Sequence, residues 1–263
     1  MTREPVYTAA IGAGRAMFAA LSVRRTIRGA QHLPDTGGAV IAMTHFGYLE
    51  FALVEWATWS HNRRRIRFMA KQSVFEKPVV RWLMRSMRHI PVNMKAGADA
   101  FAAAATALRR GELIGVFPEA GVSASFTIRD FKTGAVRLAA QAGVPVIPVA
   151  VWGGHRLLTK NRKIRLRERL GIPVHFAFGE PMLVSPDDDP AVATARLKAE
   201  MERLLSELQA SYPEDGAGQW WQPRELGGTA PTPEEAAAAD AAREARREAA
   251  RARAAKAASK QRG

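Results

Sequence analysis

Five short apolar runs, each followed by a turn and a helix-length segment, constrain this chain more than any other feature. They are Ala39–Met43, Ile66–Ala70, His89–Val92, Leu113–Phe117 and Val146–Val151. Runs this short and this uniformly apolar read as buried strands. A Pro-Asp-Thr-Gly-Gly turn at 34–38 feeds the first of them. The segments between them read as helices: Gly47 to Ser60, a helix opening near Pro78, Ala98–Arg110 halted by Gly111, and Thr133–Ala142 halted by Gly143. Val174–Phe178 is predicted as an edge strand. Asp187–Ser211 is predicted as a final amphipathic helix, with Leu197, Met201, Leu204, Leu205 and Leu208 spaced by three and four. This alternation predicts an α/β fold, a mixed, largely parallel sheet flanked by helices, with chemistry at the strand ends.

Both ends of the chain depart from that pattern. Tyr7–Ser22 is apolar, interrupted by Arg15 and followed by Arg24 and Arg25, so residues 1–24 are expected to hold an amphipathic N-terminal helix. Two homes suit it, a membrane surface and the domain's own core. From about Thr229 the composition collapses to Ala, Arg, Glu and Lys, which predicts a charged, Ala-rich tail at 229–263, a single helix or a disordered arm. The folded unit is then 25–228. No stretch reaches the roughly 18–20 apolar residues that span a bilayer. The lack of cysteine excludes disulfides, thiol catalysis and thiolate-bound zinc, and fits a reducing cytoplasm; separately, no metal site is expected.

The formal net charge is +14; eight Arg or Lys against five Asp or Glu put +3 in the tail and leave +11 on the body. Such a surface suits nucleic acid, anionic lipid headgroups or an acidic carrier protein. With only three tyrosines, no aromatic-rich RNA motif and no zinc-finger spacing, nucleic acid is not the expected partner of the body, although the tail is suited to polyanions. The cluster Arg63-Arg64-Arg65-Ile66-Arg67, near Trp56 and Trp59, reads either as an anionic-lipid contact or as a solvated basic loop.

Two strand ends are candidates for chemistry, each also readable as structure: a His–Glu contact within the fold, and an ordinary strand-to-helix turn. After the first strand comes Thr44-His45-Phe46-Gly47-Tyr48-Leu49-Glu50. A histidine there sits at a mouth, and if the backbone turns at Gly47 the Glu50 carboxylate can fold back to it. Such a pair fixes the imidazole tautomer and stabilises the imidazolium formed when the other nitrogen takes a proton. After the fourth strand comes Phe117-Pro118-Glu119-Ala120-Gly121, a loop suited to close approach of a ligand, with Arg129 and Lys132 following as cations for a phosphate. Lys71, at the end of the second strand, is a further candidate, and Ile90-Pro-Val-Asn93-Met94-Lys95 forms a fourth block.

Together these blocks resemble the glycerolipid acyltransferase family of the PlsC type over about residues 25–185. His45…Glu50 resembles its His-x4-Asp block, Phe117-Pro118-Glu119-Ala120-Gly121 its Phe-Pro-Glu-Gly block, Phe131-Lys132-Thr133-Gly134 the Phe-Lys-x-Gly that follows, and Val144-Pro145-Val146-Ile147-Pro148-Val149 its Val-Pro-Val-x-Pro-Val block. The resemblance implies His45 and Glu50 as the catalytic pair and Lys71, Glu119, Ala120, Gly121, Arg129 and Lys132 as substrate-binding residues. It implies transfer of a fatty acyl group from acyl-CoA or acyl-acyl-carrier protein, with no other cofactor, to a lysophospholipid hydroxyl. 1-Acyl-sn-glycerol-3-phosphate is the acceptor it suggests first. The enzyme would be peripheral, on the cytoplasmic face of an anionic membrane. Three positions depart from the pattern. Glu50 stands where the family prefers Asp, Asn93-Met94 replaces Asp-Arg, and Ala120-Gly121-Val122 replaces Gly-Thr-Arg. The phosphate-binding arginine of the Asp-Arg block is thereby missing unless Lys95 or Arg88 substitutes, and a second, at Val122, is missing as well. That leaves another lysophospholipid or a glycolipid as an alternative acceptor, and a non-catalytic polyanion-binding protein as an alternative class.

Overall fold

The computed structural model describes residues 4–93 and 96–260. Two compact units emerge, Met1–Val122 with Ile128–Asp215, and Ser123–Thr127 with Gly216–Gly263. The first unit begins with helix α1 (Pro5–Ala20), strand β1 (Arg24–Arg28), β2 (Ala39–Met43), α2 (Glu50–Asn62) and β3 (Ile66–Lys71). It continues with α3 (Pro78–Ser86), β4 (Ile90–Val92), α4 (Ala98–Arg109), β5 (Leu113–Val116), α5 (Gly134–Ala142), β6 (Val146–Trp152), β7 (Pro173–Phe178) and α6 (Pro190–Ala210).

Among the described residues seven strands form one sheet in the order β1-β7-β6-β2-β5-β3-β4. Every neighbouring pair is parallel except β6 with β7. Central β2 is buried along its whole length, and its side chains alternate between two cores. Ala39, Ile41 and Met43 pack with Phe18, Leu53, Val54 and Ala57 of α1 and α2. Val40 and Ala42 pack with Ala104, Leu108, Val136, Leu197 and Met201 of α4, α5 and α6. Covering both faces is what a parallel sheet requires, and it explains the unbroken apolar runs. Gly115 in β5 lets β3 close up, because a Cβ there would lie 2.6 Å from Phe68 Cδ1 and 2.7 Å from Ile66 Cγ2.

Several expectations are corrected. Val174–Phe178 lies inside the sheet between β1 and β6, and the edge belongs to β1, whose Arg-Arg-Thr-Ile-Arg sequence conceals a strand. Helix α2 starts at Glu50, not Gly47, because residues 47–49 are used in the turn. In α1 the large residues Tyr7, Ile11 and Phe18 face inward, and the Tyr7 hydroxyl donates to Glu55 at 3.0 Å. Much of the basic cluster at 63–67 is engaged within the protein. Arg64 donates to the carbonyls of Pro34 and Gly37, and buried Arg67 pairs with Glu112 and Glu4 at 2.7 Å each. Arg25 covers the Trp56 ring and Arg65 the Trp59 ring, at 4.4 and 4.7 Å from the centroids. Among the described residues no helix is long and apolar enough to cross a membrane.

In the second unit, Ser123, Ser125 and Thr127 bond to one another, with Ser123 Oγ and Ser125 Oγ 3.0 Å apart. Phe126 meets Trp220 edge to face at 6.1 Å, and the tail forms helix α7 (Pro233–Lys260).

Candidate active site

Strands β2, β3, β5 and β6 run parallel, so the segments that leave their carboxyl ends emerge along one edge of the sheet. The loop after β2 is tied to the segment after β6 at several points. Val151 N–H donates to Thr44 Oγ1 at 3.0 Å, Thr159 Oγ1 donates to the Phe46 carbonyl at 2.6 Å, and Tyr48 N–H donates to the Leu158 carbonyl at 2.9 Å. A Cβ on Gly47 would come within 2.9 Å of both His155 Cα and the Leu158 carbonyl oxygen, so only glycine lets the loop lie this close.

Glu50, the first residue of α2, is completely buried and turns back under this loop. Its two oxygens accept the Phe46 N–H at 3.0 and 2.8 Å, and Gly47 contributes a further backbone hydrogen bond. Its Oε2 faces His45 Nδ1 at 3.5 Å, long for a hydrogen bond. The imidazole stacks on Phe117, centroids 3.9 Å apart, and its side chain keeps 18% exposure. Beneath them lies buried Glu119, whose Oε1 accepts the His45 N–H at 2.9 Å and whose Oε2 accepts the Arg129 N–H at 3.1 Å.

Burial dominates the electrostatics of all three groups. It drives the His45 pKa down to about 4, against a backbone hydrogen bond to Gly47 that raises it, and the cations of Lys71 and Lys160 push it further down. Burial lifts the Glu50 carboxyl well above the ordinary carboxylate range, opposed by the N–H groups of Gly47 and Phe46. Burial also lifts Glu119 to about 8, opposed by the Arg129 and His45 N–H groups and reinforced by the charge of Glu50. At neutral pH the imidazole is therefore unprotonated, the state in which it can accept a proton. Among the described residues no serine or cysteine hydrogen-bonds the ring, so nothing beside it is poised as a nucleophile.

Of the residues anticipated from sequence, His45, Glu50, Glu119 and Lys71 come together here. Both Glu119 oxygens accept backbone N–H groups, so its carboxylate braces the His45 and Arg129 backbone. Ala120 is held in a left-handed conformation, and its N–H closes a turn onto the Phe117 carbonyl at 3.1 Å rather than pointing at a ligand. Arg129 Nη1 lies over Gly121, 3.5 Å from where a Cβ would be. Lys132 anchors the same turn through its backbone, donating to the Pro118 carbonyl at 3.0 Å, but its ammonium acts on Asp130 and not on His45. Arg88 is no substitute for a missing arginine, since it pairs with Glu112 at 2.6 Å, at the amino end of β5. Lys95 lies outside the described residues. Lys160 belongs to no motif, yet the Thr159–Phe46 and Tyr48–Leu158 bonds bring its backbone to the mouth, and its charge reaches His45.

An imidazole at the strand ends of an α/β sheet suits O-acyl transfer. Comparison with known proteins agrees. The model of the Acyltransferase family matches residues 24–152. The 1-acyl-sn-glycerol-3-phosphate acyltransferase of Bacillus subtilis (strain 168) is 27% identical over 167 residues, 60% of this chain and 80% of that protein. A protein of the same activity from Chlamydomonas reinhardtii is 28% identical over 158 residues, but these make up only 46% of its length against 58% of this chain. The crystal structure of the 1-acyl-sn-glycerophosphate (LPA) acyltransferase PlsC from Thermotoga maritima shares the fold, with a TM-score of 0.66 and 21% identity over 79% of this chain and 81% of that one. The family-model match, these relatives and the shared fold liken the chain to acyltransferases of the PlsC type.

Proposed function

We propose that this chain acylates the free hydroxyl of a lysophospholipid, foremost 1-acyl-sn-glycerol-3-phosphate, to give phosphatidic acid. The observation that carries the proposal is a neutral, part-exposed imidazole at the parallel strand ends, its Nδ1 toward Glu50. With the Nδ1 proton facing Glu50, Nε2 takes the acceptor's hydroxyl proton while that oxygen attacks the thioester carbonyl. The tetrahedral intermediate then expels the thiolate, and the imidazolium returns its proton to the sulfur. Glu50 Oε2 faces the Nδ1 proton and fixes the tautomer, and Glu119 holds the His45 backbone. Lys71 and Lys160 receive the acceptor's phosphate, with Arg129 beside Gly121 as a further cation. The donor is acyl-CoA or acyl-acyl-carrier protein, both acidic and suited to the +11 body. Lysolipids partition into bilayers, so the enzyme works as a peripheral protein on an anionic membrane, at its cytoplasmic face.

One specific observation favours a second acceptor. Asn93-Met94 and Val122 stand where the family carries phosphate-binding arginines, which suits a lysophospholipid with a different headgroup or a glycolipid. The test is to incubate purified protein with acyl-CoA and a panel of lysolipids and to identify products by mass. Phosphatidic acid as the dominant product supports the first reading, a different diacyl product the second. The absence of any acylated product, with acyl-carrier protein as donor too, overturns both.

A further inference from the structure

The segment from Lys71 to Trp82 leaves the carboxyl end of β3 beside the catalytic mouth and lies almost entirely in solvent. Only Phe75 within it is buried, anchoring a 3-10 turn at Gln72–Phe75. Helix α3 buries no residue completely. Its inner side, Leu83 and Met84, rests on Tyr7 and Ile11 of α1. Its outer side is left bare: Val79 is 77% and Trp82 60% exposed, one turn apart on the same face. Val74 in the preceding turn is also exposed, as are Tyr48 and Phe51 around the start of α2. Phe51 meets Phe68 of β3 edge to face at 5.7 Å, so this second apolar group borders the same strand. Lys71, Lys77, Arg81 and Arg85 flank the bare stripe, against the single carboxylate of Glu76. Arg81 also clamps the turn, donating to the Phe75 carbonyl at 2.8 Å.

An exposed tryptophan and valine on a short helix bordered by cations is the chemistry of a protein face that sits in the headgroup layer of an anionic bilayer. The aromatic ring and the aliphatic stem enter the interface while the cations meet lipid phosphates. We infer that the outer face of α3, with Val74, Val79 and Trp82, is the surface by which this protein docks on anionic phospholipid membranes, which sets the mouth at His45 against the lipid. The inference rests on the reading of the site as one that takes a membrane-borne lysolipid. It moves the membrane contact from the Arg63–Arg67 cluster, whose arginines are engaged with the protein, to a face with no such partners described for Val79 and Trp82.

The experiment compares the full chain with its Val79→Ser/Trp82→Ser variant, both checked for native circular dichroism. Flotation with phosphatidylglycerol vesicles is expected to capture the parent protein, less at high salt, and the variant about tenfold or more weakly, since two apolar side chains no longer enter the interface. Acylation is then measured on an acceptor embedded in vesicles and on a short-chain acceptor dissolved as monomers. The variant should lose the first activity and retain the second. Equal vesicle capture of parent and variant overturns the inference, as does capture indifferent to lipid charge and salt. A parent dimer that dissociates in the variant also overturns it, by showing that a second copy covers the face. Trp82-dependent vesicle capture without acylation in either assay would leave the docking face standing and remove the acyl-transfer reading instead.

Discussion

Replacing Glu119 by glutamine separates two roles for this carboxylate. In the structure its oxygens accept the His45 N–H at 2.9 Å and the Arg129 N–H at 3.1 Å, which makes it a brace for the backbone. A glutamine amide has one acceptor oxygen and one NH2 group, so it can keep only one of these bonds and must turn a donor toward the other amide. Losing one such bond and leaving a donor unmet costs about 1–3 kcal/mol. At roughly 2–4 °C per kcal/mol for a protein of this size, the melting temperature should fall by several degrees. The His45 loop loosens with it, and a misplaced base lowers kcat on the order of 10²-fold. KM for the acceptor should stay near its original value, because no substrate contact has been removed. Thermal unfolding followed by circular dichroism, and steady-state acyl transfer at saturating donor, read both quantities. Unchanged melting temperature and kcat with a KM raised several-fold would refute the reasoning and make Glu119 a substrate-binding group.

Other perturbations test neighbouring parts of the structure. Because burial holds the His45 pKa near 4, kcat/KM should fall as pH drops through about 4, and not through the ordinary histidine value of about 6.5; an acid limb near 6.5 would contradict the buried, neutral base. Lys160→Ala removes one of the two cations that hold this pKa down, so the acid limb should move upward, and KM for a phosphate-bearing acceptor should rise about tenfold; an unmoved limb and KM would remove Lys160 from the site. Gly115→Ala drives a methyl to within 2.7 Å of Ile66 and Phe68, and should destabilise by about 1–3 kcal/mol in a denaturant titration.

The layered sheet was legible because its central strands β2, β5 and β6 are apolar on both faces and carry no polar alternation to obscure them. β1 was not, since an edge strand reading Arg-Arg-Thr-Ile-Arg is mostly exposed and its pairing with β7 depends on residues about 150 positions away. The His45–Glu50 relation was readable from Gly47 and the strand end, both local signals. The inward turn of Glu119 was not, because the block Phe-Pro-Glu is the same whether its carboxylate faces ligand or backbone. Lys160 gave no signal beyond its place in the basic Lys-Asn-Arg-Lys run, and only the hydrogen bonds from Thr159 and Tyr48 bring that run to the mouth. Counting arginines at 63–67 suggested a lipid contact; burial of Arg67 among Glu4 and Glu112, and the carbonyls held by Arg64, show why charge in a sequence does not say which charges reach the surface.

The most direct test is the rate of acyl transfer by His45→Ala, measured beside the parent protein with both shown to be folded by circular dichroism. Loss of about 10²–10⁴-fold in kcat, with the melting temperature little changed, is the predicted result. A folded His45→Ala protein that acylates lysolipid at the parent rate would contradict the assignment of the imidazole as the proton acceptor.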